Sequence, residues 1–527
     1  MQKLLKRLLS LDVLFLLLLS SVFLVYSSCC NKTALLLDTM IQVKTGLVML
    51  SGTEISGDIY SWHNGLNWIL HERAWYLLVG WLYKSFGITG LVIFSQVCSI
   101  TLVSFILIVN HLRNRYSSKR LTFCLLLAVL TTGIWNSDIR PQIISIPITV
   151  ILMVLLCDTN NDEGFRNEVL FLVAVIINTL FHGSTVAIVF LVYGFKLVVD
   201  VIFEKKFSIA VKGLTVVLLG VLVTIILSGG IENWLYLSKQ SCYPEIMESF
   251  SAWKQGVFKV KEIIVILLVL IGLVLREKNN DDKVSKELVL NVGYYCMFIV
   301  ATVIYLRMIL YLIYVVLYFM PIAIDGIFSI VKLPDKLPAF TKLTRNKNKY
   351  LYANAVLICI TVLANAVSYD MFGMHTFDDV SKRNAYDLDM IQFIKSKNYS
   401  RIYNCFDIGT WLAYYDIKVH IDNRVDPYLA SYSGVDCYHN YSNIKSLTHL
   451  NDFVEEYHPD ALIFYYNPNE DMLVTNDGKE SYKHSNEVIN FISEIDTYAS
   501  DKFIRVYDNV VESSDSCIQW LVYEPIY

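Results

Sequence analysis

The chain has 527 residues, of which 55% are hydrophobic and 17% charged, and its formal net charge at pH 7 is -4. A soluble globular protein carries roughly 25% charged residues, so this composition excludes an ordinary soluble enzyme and indicates a membrane protein with several spans. The small net charge and the lack of a long basic run in the sequence exclude a nucleic-acid partner.

Apolar runs long enough to cross a bilayer, roughly 17–25 residues, recur along the chain. The first, residues 11–28, follows the basic stretch MQKLLKR. We expect it to be a membrane anchor rather than a cleaved signal peptide, because SSCC is a poor cleavage site. With it, the sequence predicts about eleven transmembrane helices. The other runs lie at residues 88–110, 121–135, 143–158, 167–181, 183–202, 211–228, 262–275, 287–303, 307–331 and 350–368.

The loops between these runs set the predicted orientation. Most of the Lys and Arg found between spans lie in HLRNRYSSKR, FEKKFSIAVKG, REKNNDDKVSK and KLPDKLPAFTKLTRNKNK. Eleven helices that start from a cytoplasmic N-terminus place all four loops in the cytoplasm, as the positive-inside rule requires. The C-terminus then lies outside the cytoplasm.

This orientation depends on residues 66–86. A span there would move HLRNRYSSKR outside, so we expect an interfacial amphipathic helix anchored by Trp68, Trp75 and Trp81. The remaining loops then fall on the outer face, and acids, histidines and arginines gather there. These outer loops are residues 29–87, 136–142, 181–183 and 229–261, with the region around Arg307.

Residues 370–527 are polar and rich in tyrosine, and they follow the last apolar run. RIYNCF, KVHIDNR, ALIFYY, FIRVYDN and IQWLVYE are predicted strands, and DLDMIQFIKSK and LNDFVEEY are predicted helices. Alternating elements of this kind predict a small soluble α/β domain with a partly parallel sheet. We therefore expect a membrane module, residues 1–369 with the first outer loop 29–87, and an extracytoplasmic domain, residues 370–527.

Two features of that domain are expected to be structural. Asp422 and Arg424, in IDNRVDPY, are predicted to form an internal ion pair rather than a site. Cys405, Cys437 and Cys517 also fall in the domain and could form a disulfide there, but their odd number argues against a full disulfide framework.

An outward-facing pocket with carboxylates and arginines suits a lipid-linked phosphate. An arginine binds phosphate through bidentate, charge-assisted hydrogen bonds. A nearby carboxylate can accept a proton from a hydroxyl or hold a divalent metal. Together these groups predict transfer of a sugar from a polyprenyl phosphate to an acceptor.

Five motifs occur in order along the chain: GDIYSWHNGLNWILHER, DIRPQIIS, INTLFHGS, YLRMILYLIYVVLYFMP and FDIGTWLAYYDIKVHIDNRVDPY. Their order resembles the GT-C superfamily of integral-membrane glycosyltransferases, which includes protein O-mannosyltransferases, aminoarabinose–lipid A transferases and bacterial oligosaccharyltransferases. The chain is most similar to the bacterial branch, except that Arg73 stands where the family usually has Trp and IDNR replaces IDGR. The resemblance implies a polyprenyl-phosphate-sugar donor, a role in glycan synthesis for the cell envelope and a bacterial cytoplasmic membrane.

The resemblance also implies that a first-loop acid is the catalytic base, and Asp58 matches that position. Alternatively, Asp58 caps the following helix. Glu72, after His71, is the second catalytic candidate, and His71 is the third. Two acids held together could also bind Mg²⁺ or Mn²⁺, with Asp58 and Glu72 as ligands. Alternatively, Glu72 pairs with Arg73 or stabilises a helix N-terminus.

Arg140 and Arg307 are the predicted ligands of the donor phosphate. Arg140 lies beside Asp138 at the outer end of a span, where it could instead snorkel to lipid headgroups. Arg307 interrupts an apolar run, where a charge is costly and therefore more often functional. Its alternative role is an ion pair with a carboxylate.

The other substrate-binding candidates are His63, His182, Glu245 and Glu248. His182 occupies a very tight turn between two spans, where a neutral structural histidine is the alternative. Glu245 and Glu248 are spaced to share one helix face and resemble the acidic loop motif of the family, and a solvated surface is their alternative.

Two other functions compete with the transferase. A transporter or flippase of lipid-linked saccharides is expected to carry midplane polar groups, broken helices and internal repeats, and the predicted spans show none apart from Arg307. The third reading is a non-catalytic assembly partner in surface-glycan synthesis. The expected partners are a polyprenyl-phosphate-linked sugar, membrane lipid and a glycan, lipid or protein acceptor.

Overall fold

The computed structural model of the protein divides into two compact units. The membrane unit comprises His71–Ala74 and the described part of Val92–Met371. The tail unit comprises the described parts of Leu35–Leu70, Trp75–Leu91 and Phe372–Tyr527. The structure describes residues 37–114, 116, 121, 124, 139–159, 165–239, 258–277, 284–330, 376–438, 444, 446–468, 479–513 and 517–527.

This division groups residues of the first outer loop with the C-terminal residues. The predicted membrane module included that whole loop, residues 29–87, whereas the described residues up to Leu70 belong to the tail unit. The predicted domain boundary between residues 369 and 370 lies outside the described residues and stays a prediction. The long-range grouping matters for function because it places Asp58 and His63 in the tail unit.

Two helices lie in the region expected to be an outer loop and interfacial helix. Helix α1 is Leu37–Leu50, and the sequence analysis did not foresee it. Helix α2 is Arg73–Leu112, but Gly87 inside it has φ 63° and ψ -157°, so two helical segments meet there at a kink. Only glycine adopts such a backbone conformation readily. The kink separates the expected interfacial segment from the expected span 88–110.

The interfacial helix differs from its prediction in two ways. It begins at Arg73 rather than at residue 66. Trp68 and Trp75 are buried, with 5% and 0% of their surface exposed, and the Trp75 Nε1 donates to Gln42 Oε1 at 2.8 Å. These two indoles pack inside protein and cannot serve as lipid anchors, so that prediction was wrong for them. Trp81 is exposed.

Apart from Ile231–Lys239, which lies in the predicted outer loop 229–261, the other helices of the membrane unit follow the predicted apolar runs closely, because their apolar side chains and internal backbone hydrogen bonds suit a lipid environment. Local signals set some ends: Ser285 Oγ accepts from the Leu288 N–H at the start of one helix, and Lys205, with φ 51°, ends another. The helices are α3 Gln142–Leu156, α4 Arg166–His182, α5 Val186–Glu204, α6 Phe207–Leu227, α7 Ile231–Lys239, α8 Val260–Glu277, α9 Lys286–Ile304 and α10 Ile309–Ile330.

Within the described residues, five helical segments are long and apolar enough to cross a membrane. They are Arg73–Leu112, Arg166–Glu204, Phe207–Leu227, Lys286–Ile304 and Leu306–Phe328, and the shorter α3 is also apolar. The predicted spans 11–28 and 350–368, and most of 121–135, lie outside the described residues. The protein is therefore a mostly helical, multi-pass membrane protein.

The tail unit carries a small mixed sheet, as predicted. The strands are β1 Ile402–Asn404, β2 Ala461–Tyr466, β3 Phe503–Glu512 and β4 Cys517–Pro525. Their order is β1-β2-β4-β3, with β1 parallel to β2 and the other pairs antiparallel. The helices, besides α1 and the Trp75–Leu91 part of α2, are α11 Phe377–Arg383, α12 Leu388–Lys397, α13 Phe406–Tyr414, α14 Ala430–Ser433, α15 Leu447–Tyr457 and α16 Lys479–Tyr498.

Two expectations for this unit were wrong. KVHIDNR is not a strand: its Val419 forms only isolated bridges, to Ser61 and Ile402, because the chain turns shortly afterwards, where Val425 has φ 60°. The disulfide is also absent among the described cysteines, since Cys405, Cys437 and Cys517 are all free thiols. Burial raises the pKa of the Cys405 thiol to about 12, which keeps it protonated and unreactive.

Candidate functional site

Asp58 lies in the tail unit at the centre of a buried ion cluster. Arg424 Nη1 donates to Asp58 Oδ1 at 2.6 Å. The Ser61 N–H donates to Oδ2 at 2.8 Å, and the Tyr60 N–H donates to Oδ1 at 3.3 Å. Only 1% of the Asp58 side chain is exposed. Asp58 therefore caps the turn that follows it and also pairs with an arginine far along the chain.

The predicted ion pair between Asp422 and Arg424 is confirmed. Arg424 Nε donates to Asp422 Oδ1 at 2.8 Å, and Nη2 donates to Oδ2 at 2.6 Å. The Tyr428 hydroxyl donates to Asp422 Oδ2 at 2.8 Å. The Arg424 guanidinium also lies 4.4 Å from the Trp68 ring centre and 4.9 Å from that of Tyr60, where cation–π attraction adds to the pairing.

This environment determines the charge of Asp58. Burial alone would raise the pKa of its carboxyl, but the Arg424 guanidinium and the two backbone N–H donors hold that pKa below its ordinary value. A general base works best with a pKa near the operating pH. The role predicted for Asp58 stays a prediction, and it requires the carboxylate to leave Arg424. Because both carboxylate oxygens already accept hydrogen bonds and the Arg424 cation would repel a metal ion, Asp58 in this arrangement does not fit a metal ligand.

His63 pairs with a second histidine of the tail unit. His63 Nε2 and His420 Nδ1 are 2.7 Å apart, and the Trp62 indole stacks on His63 with 3.8 Å between ring centres. Burial lowers the pKa of His63 to about 4 and lowers that of His420 well below its ordinary value. Both rings are neutral at pH 7, and the contact joins the first loop to the segment that follows α13. The predicted substrate-binding role of His63 stays a prediction.

A second acidic cluster, in the membrane unit, surrounds Glu72. Its Oε1 lies 3.8 Å from His71 Nε2 and 3.8 Å from His182 Nδ1. Glu72 and His182 are buried, with 8% and 7% of their surface exposed. His182 ends α4 immediately before the 3₁₀ turn Gly183–Thr185, as the tight turn in the sequence predicted. The structure thus brings three of the predicted site residues together.

Gln142 completes this cluster. It is the first residue of α3 and is 5% exposed. Its Nε2 lies 3.3 Å from His182 Nε2, and the Ser184 Oγ lies 3.0 Å from the same nitrogen. Within the described part of the chain, Gln142 Oε1 and His182 Nδ1 are buried and make no hydrogen bond. Buried polar atoms are nearly always hydrogen-bonded in proteins, so these two atoms are available to a ligand.

The two predicted phosphate ligands stand before helix N-termini of the membrane unit. Arg140 lies in the turn that leads into α3, where its carbonyl accepts from the Ile143 N–H at 3.0 Å. Arg307 lies in the 3₁₀ turn Leu306–Met308, between α9 and α10. Its positive charge interacts electrostatically with the His182 ring. Both side chains are half-buried. Their roles stay predictions.

The remaining predicted residues have separate outcomes. Glu245, Glu248 and Asp138 lie outside the described residues. No group of three or more His, Cys, Asp or Glu side chains is placed to hold a metal in the part of the chain that the structure describes. Sequence reasoning missed Gln142, although the motif DIRPQIIS contained it.

Comparison with solved structures identifies the fold. The chain is similar to the oligosaccharyltransferase of Archaeoglobus fulgidus in its apo form, with a TM-score of 0.54 and 10% identity over 96% of this chain and 80% of that chain. It is also similar to the archaeal oligosaccharyltransferase AglB from the same organism in complex with an inhibitory peptide and a dolichol-phosphate, with a TM-score of 0.52 and 10% identity over 94% and 79% of the two chains. No protein-family model and no curated protein sequence matches the chain. The likeness shows that this chain shares the fold of these archaeal oligosaccharyltransferases, as the predicted resemblance requires.

Proposed function

We propose that this protein is a GT-C glycosyltransferase that moves a sugar from a polyprenyl-phosphate-linked donor to an acceptor. One observation carries the proposal: a buried acid, Glu72, lies between two imidazoles in a protein that folds like an oligosaccharyltransferase. The dolichol-phosphate and the peptide in the archaeal complex belong to that protein. They support a lipid-linked donor and a separate acceptor for this chain.

The proposed topology has about eleven transmembrane helices, a cytoplasmic N-terminus and an extracytoplasmic C-terminal domain. The five described apolar segments and the apolar α3 are consistent with part of that count. The protein would then work in a bacterial cytoplasmic membrane with its site at the outer face. Thiol labelling of single cysteines introduced near Asp58 and near Arg307 tests this arrangement, and labelling from opposite sides of the membrane would contradict it.

In the proposed reaction, the acceptor hydroxyl gives its proton to a carboxylate as its oxygen bonds to the anomeric carbon. The bond between that carbon and the phosphate oxygen breaks, and the lipid phosphate leaves. Glu72, with His71 and His182 beside it, is suited to hold and pass on this proton. Asp58 remains the alternative base.

Arg140 and Arg307 are proposed to bind the lipid phosphate. Each precedes a helix N-terminus, where backbone N–H groups and the helix dipole favour negative charge. A leaving phosphate that keeps its charge pairing is a better leaving group. The sugar, a hexose or a pentose, and the acceptor, a glycan, lipid or protein, are finer parts of this proposal.

A divalent ion, Mg²⁺ or Mn²⁺, also belongs to the proposal. Glu72 has the chemistry to bind such an ion, and the ion would neutralise the phosphate charge. Asp58 does not fit it as arranged, because an arginine and two backbone N–H groups already donate to its oxygens. Loss of transfer on treatment with a chelator, restored by Mg²⁺ or Mn²⁺, is the expected result if the ion takes part.

The experiment uses the full chain, purified and reconstituted in liposomes with a panel of labelled undecaprenyl-phosphate hexoses and pentoses. We expect wild type to transfer label to an acceptor fraction from the cell envelope. Asp58→Asn and Glu72→Gln then separate the two candidate bases, since the acting base is the one whose loss abolishes transfer. No transfer from any donor would contradict the proposal, and donor flipping without acceptor would favour the transporter.

A further inference from the structure

Gln142 is a buried amide with one paired and one unpaired end. Its Nε2 contacts His182 Nε2, while its Oε1 makes no hydrogen bond among the described residues. Its backbone lies at the start of α3, directly after Pro141. A buried and unsatisfied acceptor beside the Glu72 cluster indicates a ligand atom that donates to it.

The contacts of His182 also determine which of its nitrogens carries the proton. Its Nδ1 faces the Glu72 carboxylate, with Oε1 at 3.8 Å, and a negative oxygen favours a proton on the nearer nitrogen. Its Nε2 is then an acceptor, and an acceptor matches the NH₂ group of Gln142. The reverse amide orientation would place a proton on Nε2 and leave a bare nitrogen lone pair facing the carboxylate, which is electrostatically unfavourable.

We propose that Gln142 is a positioning and specificity residue, which holds His182 in the Nδ1–H tautomer through its NH₂ group and accepts a hydrogen bond from a sugar hydroxyl through its Oε1. This deepens the proposed function and rests on it for the identity of the ligand as a sugar. The His182 Nδ1–H then points at Glu72, ready to be bridged by the substrate or by water. A hydroxyl is the expected donor because a sugar offers several, whereas a phosphate offers only acceptors at neutral pH.

The tautomer is measured directly, without any substrate. Nitrogen-15 NMR of the full-length protein, labelled at histidine and purified in detergent, distinguishes a protonated Nδ1 from a protonated Nε2, and the His182→Asn variant assigns the signal. We expect protonated Nδ1 in wild type. In Gln142→Glu the new carboxylate accepts rather than donates while Glu72 still faces Nδ1, so we expect a proton on Nε2 as well as on Nδ1. Protonated Nε2 in wild type, or the same tautomer in both proteins, would overturn the positioning role.

The same variants separate binding from turnover in the transfer assay. Gln142→Glu keeps an acceptor oxygen, so we expect a donor KM within about threefold of wild type and a kcat at least about tenfold lower. Gln142→Met loses the acceptor too, so we expect its donor KM to rise at least about tenfold. The control is Thr149→Val on the same helix, whose hydroxyl bonds only to the Ser145 carbonyl in the described structure, and we expect both constants to stay within about twofold.

The outcomes are distinct. A donor KM unchanged in Gln142→Met would overturn the hydroxyl contact while the transferase stands. If wild type transfers no donor of the panel, the proposed function and the sugar contact both fall, and the NMR result alone decides the pairing of Gln142 with His182. If Gln142→Glu does not accumulate, Gln142→Met replaces it in the NMR experiment, where a mixture of tautomers supports the proposal and an unchanged signal overturns it.

Discussion

The Asp58 cluster of the tail unit and the Glu72 cluster of the membrane unit both bury carboxylates, but they differ in how closely their polar atoms pair. Arg424 reaches Asp58 and Asp422 at 2.6–2.8 Å. Glu72, in contrast, is 3.8 Å from each imidazole beside it. The first distances are those of strong charge-assisted hydrogen bonds, and the second exceed hydrogen-bond range.

This difference separates a structural cluster from a binding cluster. Around Arg424, the guanidinium and the carboxylates of Asp58 and Asp422 satisfy each other, so a ligand would have to displace existing bonds. In the membrane unit, Gln142 Oε1 and His182 Nδ1 are buried without a hydrogen bond among the described residues, so a ligand would gain bonds there. A buried carboxylate is more available for chemistry when its polar neighbours lie beyond hydrogen-bond distance, as they do around Glu72.

The largest expected effect is on the rate of transfer when Glu72 is changed. Glu72→Gln removes a proton acceptor while keeping the shape, so we expect transfer to fall by about 10²–10⁴-fold. The melting temperature is measured on the same preparation, because Glu72 lies 3.8 Å from each imidazole rather than at hydrogen-bond distance. A large drop in the melting temperature, with transfer retained, would show that Glu72 has a structural rather than a catalytic role.

The next effect is on stability when Arg424 is changed. Arg424→Gln leaves Asp58 and Asp422, which are 1% and 0% exposed, without their shared cation. Breaking such a buried pair costs about 3–5 kcal/mol, so we expect a strongly lowered melting temperature for the full-length protein in detergent. The matched control is Arg505→Gln, whose side chain is 33% exposed and whose pairing is worth only about 0–1 kcal/mol. Equal effects of the two changes would contradict the structural role.

A smaller loss is expected when the Tyr428 hydroxyl is removed. Tyr428→Phe takes away the donor that lies 2.8 Å from Asp422 Oδ2, and a hydrogen bond to a charged group contributes about 1.5–3 kcal/mol. The measurement is again the melting temperature of the full-length protein. A change below that caused by Arg505→Gln would show that the two hydrogen bonds from Arg424 to the same oxygen suffice without the hydroxyl.

The last effect depends on pH and concerns the histidine pair. Because burial lowers the pKa of His63 from 6.5 to about 4, the unfolded chain takes up a proton in this range before the folded chain does. The stability is therefore fully present above pH 6.5 and decreases as the pH falls towards 4, by up to about 1.4 kcal/mol per pH unit for this histidine. The Asp58 carboxylate raises the pKa of His63 and the Arg401 guanidinium lowers it, both by less than burial does.

We expect His63→Gln to flatten the decrease of melting temperature between pH 6.5 and 4. His449→Gln, at an exposed position in α15, is the control and should leave the slope as in wild type. An unchanged slope in His63→Gln would show that proton uptake by His63 on unfolding does not contribute to the pH dependence of stability.

The helices of the membrane unit could be predicted well because each is encoded locally. Residues 167–181 and 287–303 were expected as spans, and the helices are Arg166–His182 and Lys286–Ile304. Helix α1 was missed because its segment lies in a region that the topology made an outer loop. Trp68 was read as a lipid anchor because the sequence did not show that Arg424 would lie against its ring.

The site was predictable only in part, for the same reason. His182 and Glu72 were identified from chemical type and position, and the structure places them together. The partner of Asp58 is 366 residues away, and no local pattern reports such a pairing. Gln142 was overlooked because an amide carries no charge, and its importance lies in an atom left without a bond.

The attachment of the first loop to the tail has a consequence for biosynthesis. Ser61 bonds to the carbonyl of Val419, a residue made 358 positions later, and Trp62 bonds to the carbonyl of Ile402. Because domains fold as units and synthesis proceeds from the N-terminus, the loop can form these contacts only after most of the polypeptide has been synthesised. A nascent chain halted before residue 400 would leave the Trp62 indole without this contact and exposed to chaperones and proteases.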